Sequence, residues 1–140
     1  MQNYLLGPGL YVVERYAPEK GVRHVALLDV GNRSALSDWG PWSARLLELS
    51  TAGLRFDPYN ASEGWSLVRP VVDVDAAVRR IHELLTLPTR PYDPVLNNCE
   101  HLVSYIETGT RTSPQVRSVA IAAGIVLGVV VLAAAAQRAA

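Results

Sequence analysis

An α+β domain followed by one apolar C-terminal helix is what this sequence predicts, and three observations carry that expectation. Residues 10–72 hold short apolar runs broken by Gly, Pro, Asn and Asp turn signals. Residues 73–109 change to a helical period. From Ser118 to Gln137 the chain carries no charge at all.

The elements follow in order. After the lead Leu6-Gly7-Pro8-Gly9, residues 10–15 (LYVVER) read as a strand, and residues 17–21 (APEKG) as a turn. Residues 22–30 (VRHVALLDV) form a second strand, closed by the turn signal Gly31-Asn32. Residues 34–43, with Trp39-Gly40-Pro41-Trp42, read as an irregular excursion. Residues 45–50 (RLLELS) and 65–72 (WSLVRPVV) are further strands, and Ala52-Gly53 and Asp57-Pro58-Tyr59-Asn60 are read as the turns between them. Runs this short with turns between them predict an antiparallel sheet.

The helical period begins at residue 73. Val74, Ala77, Val78, Ile81, Leu84 and Leu85 make one apolar stripe, with Arg79, Arg80 and Glu83 outside it. Pro88, Pro91 and Pro94 interrupt the chain. A second helix then starts, with Asn97 or Asn98 able to cap it, Cys99 in its first turn and Glu100 beside it. Its stripe is Cys99, Leu102, Val103 and Ile106, and Gly109 ends it. Residues 1–109 therefore form the globular domain and residues 110–117 a short polar linker.

Residues 118–137 are expected to cross a membrane. Ser118 to Ala136 is nineteen residues, a helix about 28 Å long at ~1.5 Å per residue. The hydrocarbon core of a bilayer is roughly 30 Å thick. Arg111 and Arg117 flank the run on one side and Arg138 on the other. This arrangement predicts a single-pass C-terminal anchor with the domain on the cytoplasmic side. Gly124 and Gly128 form a GxxxG spacing that would let two such helices approach as a homodimer. Trp39, Trp42 and Trp65 suit a headgroup region, although core packing accounts for them equally well.

Lys plus Arg and Asp plus Glu balance at 13 each, which leaves no net field to attract nucleic acid. One cysteine in 140 residues excludes an internal disulfide and fits a reducing compartment. The N-terminus MQNYLLGP has neither a basic start nor a long apolar core, so no cleavable signal peptide is expected. The lone cysteine and three histidines make no recognisable metal-ligand set, and no metal or cofactor is expected.

The value of that cysteine must then lie in packing or reactivity. A thiol in the first turn of a helix meets free N–H groups and the positive end of the helix dipole, both of which favour thiolate. A nucleophilic cysteine also needs a base and a group to orient that base. His101, two positions on, should face away from Cys99 and serve the helix structurally. His82 reads as a partly exposed helix histidine. His24 alternates with Ala26 and Leu28 on one strand face. If a helix covers that face, His24 could meet a residue of the helix; by pattern alone, a backbone-bonded core or edge histidine is the preferred reading.

The run Asn97-Asn98-Cys99-Glu100-His101-Leu102-Val103, preceded by Tyr92, resembles the NCEHF signature of the lecithin:retinol acyltransferase family, which includes small phospholipase A/acyltransferases. In that family the motif cysteine is the nucleophile and a histidine in an upstream strand is the base. Here that strand is His24-Val25-Ala26-Leu27-Leu28-Asp29-Val30-Gly31, which matches in the histidine, the small residue two on and the glycine turn, and departs at Val25, where an aromatic is usual. The third member is a polar residue, commonly histidine, on the following strand; Glu48 is the best match here, with Asp38 as the fallback.

The resemblance covers roughly residues 8–109. It implies a permuted papain-like (NlpC-type) fold and acyl transfer from a glycerophospholipid, in which Cys99 forms a thioester that passes to water, an amine or an alcohol. His24 would hold the proton and Glu48 would orient His24. The implied partners are a phospholipid membrane and a lipid substrate. Two other readings accompany it: a non-catalytic membrane-bound interaction module of the same fold, and a cysteine amidase or peptidase acting on peptides.

Overall fold

Strand alternation sets the architecture. The computed structural model describes residues 6–18, 21–36, 43–51, 53–87, 93, 98–114 and 116–125. Strands β1 (Gly9–Ala17) and β2 (Val22–Val30) form a long hairpin paired from Gly9↔Val30 to Ala17↔Val22. Gly21 turns the chain at a φ of 63°, a left-handed conformation that favours glycine. β3 (Ala44–Ser50) pairs with β2, and β4 (Gly53–Pro58) pairs with β3. β5 (Ser66–Pro70) crosses back to pair with β1, which gives the antiparallel order β4-β3-β2-β1-β5.

The α+β class and the antiparallel sheet agree with the pattern in the sequence, whereas two local expectations are corrected. Residues 52–53 and 57–60 are read above as turns, yet Gly53, Asp57 and Pro58 belong with residues 54–56 to the strand β4. Leu54 and Phe56 alternate there with Arg55 and Asp57, and the Ser50↔Gly53 pair closes the hairpin tightly with Gly53 at a φ of 102°. Trp65 and Val71, read as parts of the last strand, lie outside it. Both are buried, while β5 itself is exposed along its length as an edge strand.

Two helices cover one face of the sheet. α1 (Val74–Thr86) is capped by Asp73, whose carboxylate accepts from the Ala76 N–H at 2.9 Å. Ala76, Ala77 and Ile81 are its buried residues, and Leu85, at the end of the expected stripe, is exposed. α2 (Cys99–Thr108) ends at Gly109 in the left-handed region, as the sequence predicts. Leu102, Val103 and Ile106 of α2 pack with Ile81 onto Leu10, Val12, Leu27, Leu47 and Leu49 of the sheet. Each such fully buried aliphatic side chain contributes about 1.5–3 kcal/mol. The opposite face carries a smaller core of Val13, Ala26, Leu28, Leu46 and Trp65.

Polar contacts lock α2 at its C-terminal end. The Arg80 guanidinium donates to the carbonyls of Ile106 and Glu107 at 2.8 and 3.0 Å, placing a cation where the helix dipole is negative. Arg69 of β5 makes a two-point pair with Glu107, at 3.1 and 2.6 Å.

The chain after Gly109 folds back along α2. The Ser104 hydroxyl donates to the Thr110 carbonyl at 2.9 Å and lies 2.7 Å from the Thr112 hydroxyl. Residues 116–125 are helical. No helix among the described residues is long and apolar enough to cross a membrane. The expected membrane segment extends beyond residue 125, and its remainder, with Gly128, lies outside the described residues, as do Asp38, Trp39 and Trp42.

Candidate functional site

The site forms where β2 and β3 part. Their ladder runs from Val30↔Ala44 to Leu27↔Leu47 and, among the described residues, goes no further. Beyond it Glu48, Leu49 and Ser50 remain paired to β4, and His24 remains paired to β1 opposite Arg15. The N-terminus of α2 stands at this opening. The Cys99 thiol donates to the Leu49 carbonyl at 3.0 Å, a carbonyl that the sheet does not bond across to β2.

Local chemistry starts α2 at this point. Asn98 caps the helix with its side chain accepting from the His101 N–H at 3.1 Å, while His101 Nδ1 accepts from the Asn98 N–H at 3.4 Å. This reciprocal capping box makes His101 a buried structural residue, in line with its expected role. It also sets Cys99 at the first helical position, where backbone N–H groups have no acceptor within the helix.

Three sequence candidates converge at the opening. His24 Nε2 bonds the Glu48 carboxylate, and the Cys99 side chain lies within hydrogen-bonding reach of the same imidazole. His24 is pushed up from its ordinary 6.5 to about 9, first by Cys99 and then by Glu48, with burial opposing. Glu48 is held below the usual carboxylate range by His24, aided by Arg15 and Arg55 and opposed by burial. With Nε2 committed to Glu48, Nδ1 is the nitrogen left for the thiol.

The way these residues meet differs from the expectation. The face carrying His24, Ala26 and Leu28 is not the helix-covered one: Ala26 and Leu28 pack on Val13, Leu46 and Trp65. The helices lie against Leu27 and Leu47 on the other face. His24 therefore reaches Cys99 because the strands separate, not because a helix lies over its face.

Two neighbours of His24 went unread as parts of the site. Trp65 is buried with its ring centroid 5.5 Å from the imidazole, which makes it a core residue here. Arg15 lies over the Trp65 ring at 4.7 Å and pairs with Glu63 at 3.3 Å, and Glu63 also accepts from the indole N–H at 3.1 Å. The Arg15↔His24 register needs a strand pairing that no local pattern encodes. His82 stands elsewhere, 2.7 Å from the Ser34 carbonyl.

Chemically, this arrangement can pass a proton between sulfur and imidazole. Bonded to Leu49, the sulfur is a thiol; with its proton passed to the imidazole it is a thiolate beside a histidine that Glu48 keeps charged. Among the described residues no cluster of three His, Cys, Asp or Glu side chains could hold a metal ion. Comparison with protein-family models, curated proteins and solved structures finds no match to the chain.

Proposed function

We propose that the chain is a membrane-anchored thiol phospholipase A/acyltransferase of the lecithin:retinol acyltransferase type, with a permuted papain-like fold. The observation that carries this reading is the convergence of Cys99, His24 and Glu48 from three separate elements. In the first half-reaction the Cys99 thiolate attacks an ester carbonyl of a glycerophospholipid. The tetrahedral intermediate collapses by breaking the C–O bond, and His24 gives its proton to the departing lysophospholipid oxygen. In the second half-reaction water, an amine or an alcohol attacks the thioester and gives its proton to His24, so that the acyl product leaves and the ion pair is restored.

Glu48 stabilises the imidazolium in each step where His24 carries the extra proton. Backbone N–H groups at the start of α2 would receive the developing oxyanion, and one such donor is worth about 3 kcal/mol. An anchor in residues 118–137 suits this chemistry, because holding the domain at a lipid surface raises the local concentration of substrate without new contacts.

Incubation with phospholipid vesicles followed by intact-mass measurement, with Cys99→Ser in parallel, tests the proposal. A fatty-acyl mass increase that hydroxylamine removes, absent from the variant, is the expected result. Lysophospholipid release without a trapped adduct means a lipase with rapid deacylation. The 6% exposure of Cys99 supports a second reading, a non-catalytic interaction module, which predicts neither product.

A further inference from the structure

Ser113 is a joint between the C-terminal helix and the catalytic end of the domain. Its hydroxyl donates to the Glu100 carboxylate and accepts from the Val116 N–H at 3.2 Å, while its carbonyl accepts from the Arg117 N–H at 2.9 Å. Ser113 is thus the cap of the last helix, with Pro114 at the first helical position, and it is buried. Glu100 adjoins Cys99 in the chain. Because residues 110–113 run back along α2, the helix starts beside Glu100 in the first turn of α2 and not at the far end of α2.

From residue 117 to 125 every described position is exposed, so this helix leaves the domain instead of packing on it. Val119, Ile121 and Ile125 are uncovered at 70%, 55% and 62% exposure. A second apolar feature lies at the same end of the molecule. The β1–β2 hairpin presents Tyr16 and Val22 to solvent, and Arg23, which pairs with Glu14 at 3.5 Å while remaining strongly exposed, lies between Val22 and His24. An aromatic and an aliphatic side chain rimmed by arginine suit the headgroup boundary of a bilayer, where rings bury their apolar body and cations meet phosphate.

We infer that the end of the domain bearing Cys99, Tyr16, Val22 and Ser113 docks on a phospholipid bilayer surface, with the Ser113–Glu100 bond fixing that orientation. This rests on the membrane reading above. The occupant is lipid because the exposed apolar helix continues in sequence as an uncharged run to Gln137, long enough to match a hydrocarbon core.

Depth measurement in phosphatidylcholine vesicles tests it. In a full-length Cys99→Ser background, one fluorophore is attached at Val22→Cys and another, in a separate protein, at Arg33→Cys. Val22 opens β2 and Arg33 lies just past its other end, so the two sites are roughly 25 Å apart at ~3.3 Å per residue. A nitroxide on the lipid headgroup should quench the Val22 probe several-fold more than the Arg33 probe. Ser113→Ala should shrink that difference, and Ser113→Thr, which keeps the hydroxyl, should retain it.

Equal quenching in vesicle-bound protein overturns the orientation while leaving anchorage intact. Failure to co-sediment with vesicles overturns anchorage, and the inference with it. Shielding of the Val22 probe that rises with protein concentration and needs no lipid means a second copy occupies the surface, which also overturns it. An unchanged difference in a folded Ser113→Ala protein overturns the role of the joint.

Discussion

The two ends of β2 each hold a polar side chain against the core, and they do so in opposite ways. At the far end Asp29 is buried, and its carboxylate accepts from the N–H groups of Arg33 and Ser34 at 2.7 and 3.0 Å and from the Ser34 hydroxyl. All of these donors lie within five residues, so a tight local turn satisfies the charge. At the near end His24 is satisfied by Glu48, 24 residues away, and by Cys99 from another element. A group satisfied by its own turn is committed to structure. A group satisfied by partners that only the fold assembles can exchange protons among them, and the proposed function rests on that difference.

The largest effect expected from breaking this contrast is at Cys99. Cys99→Ser should lower acyl-product formation by about 10⁴-fold or more. His24→Ala should lower it by about 10²–10⁴-fold, with both variants retaining the wild-type circular dichroism. Asp29→Ala should do the reverse. Losing three hydrogen bonds to a buried carboxylate costs about 3 kcal/mol, read as a lower urea midpoint, while the rate per folded molecule stays unchanged. A rate loss at Asp29 without destabilisation would erase the distinction between the two ends.

Glu48→Gln sharpens the comparison next. It removes a charge that raises His24, so the imidazole titration followed by NMR should move below about 9. The rate should fall about 10²-fold with it. The same shifts set the dependence of stability on pH. A raised histidine stabilises the fold fully below its unfolded value of 6.5 and loses that contribution as pH rises through about 9. A lowered carboxylate contributes above its unfolded value of 4.5 and loses that contribution as pH falls through its folded value. The urea midpoint should therefore decline from pH 6.5 to 9 in the wild type, and His24→Gln should flatten that decline.

The smallest effect is expected at His101. Its part in the capping box is worth about 1 kcal/mol, so His101→Ala should destabilise modestly and leave the rate per folded molecule intact. A His101 variant as inactive as His24→Ala would reassign the base.

Much of this was legible because it is local. The helix period and the Asn97-Asn98 pair place Cys99 in the first turn of α2, and i, i+2 spacing turns His101 away from it, while the structure picks Asn98 as the cap. Apolar runs bounded by turn signals locate β1, β2 and β3. β4 was missed because Gly53, Asp57 and Pro58 read as turn chemistry, although Leu54 and Phe56 alternate with polar residues between them. β5 was placed too broadly because its apolar content resembles that of a core strand, whereas its position at the sheet edge leaves it exposed.

The sequence by itself determined the antiparallel α+β class, the two helical stretches and Cys99 as the candidate nucleophile, through caps, turns and periodicity whose interactions span a few residues. His24 and Glu48 enter as its partners only through the family resemblance. Only the tertiary structure decided that β2 and β3 separate beyond Leu27↔Leu47, that Trp65 and Arg15 stand behind His24, and that Ser113 returns to Glu100. Those contacts join residues 13 to 50 positions apart in sequence. Which of them form depends on how the sheet and α2 fill a shared core, and no local pattern carries that information.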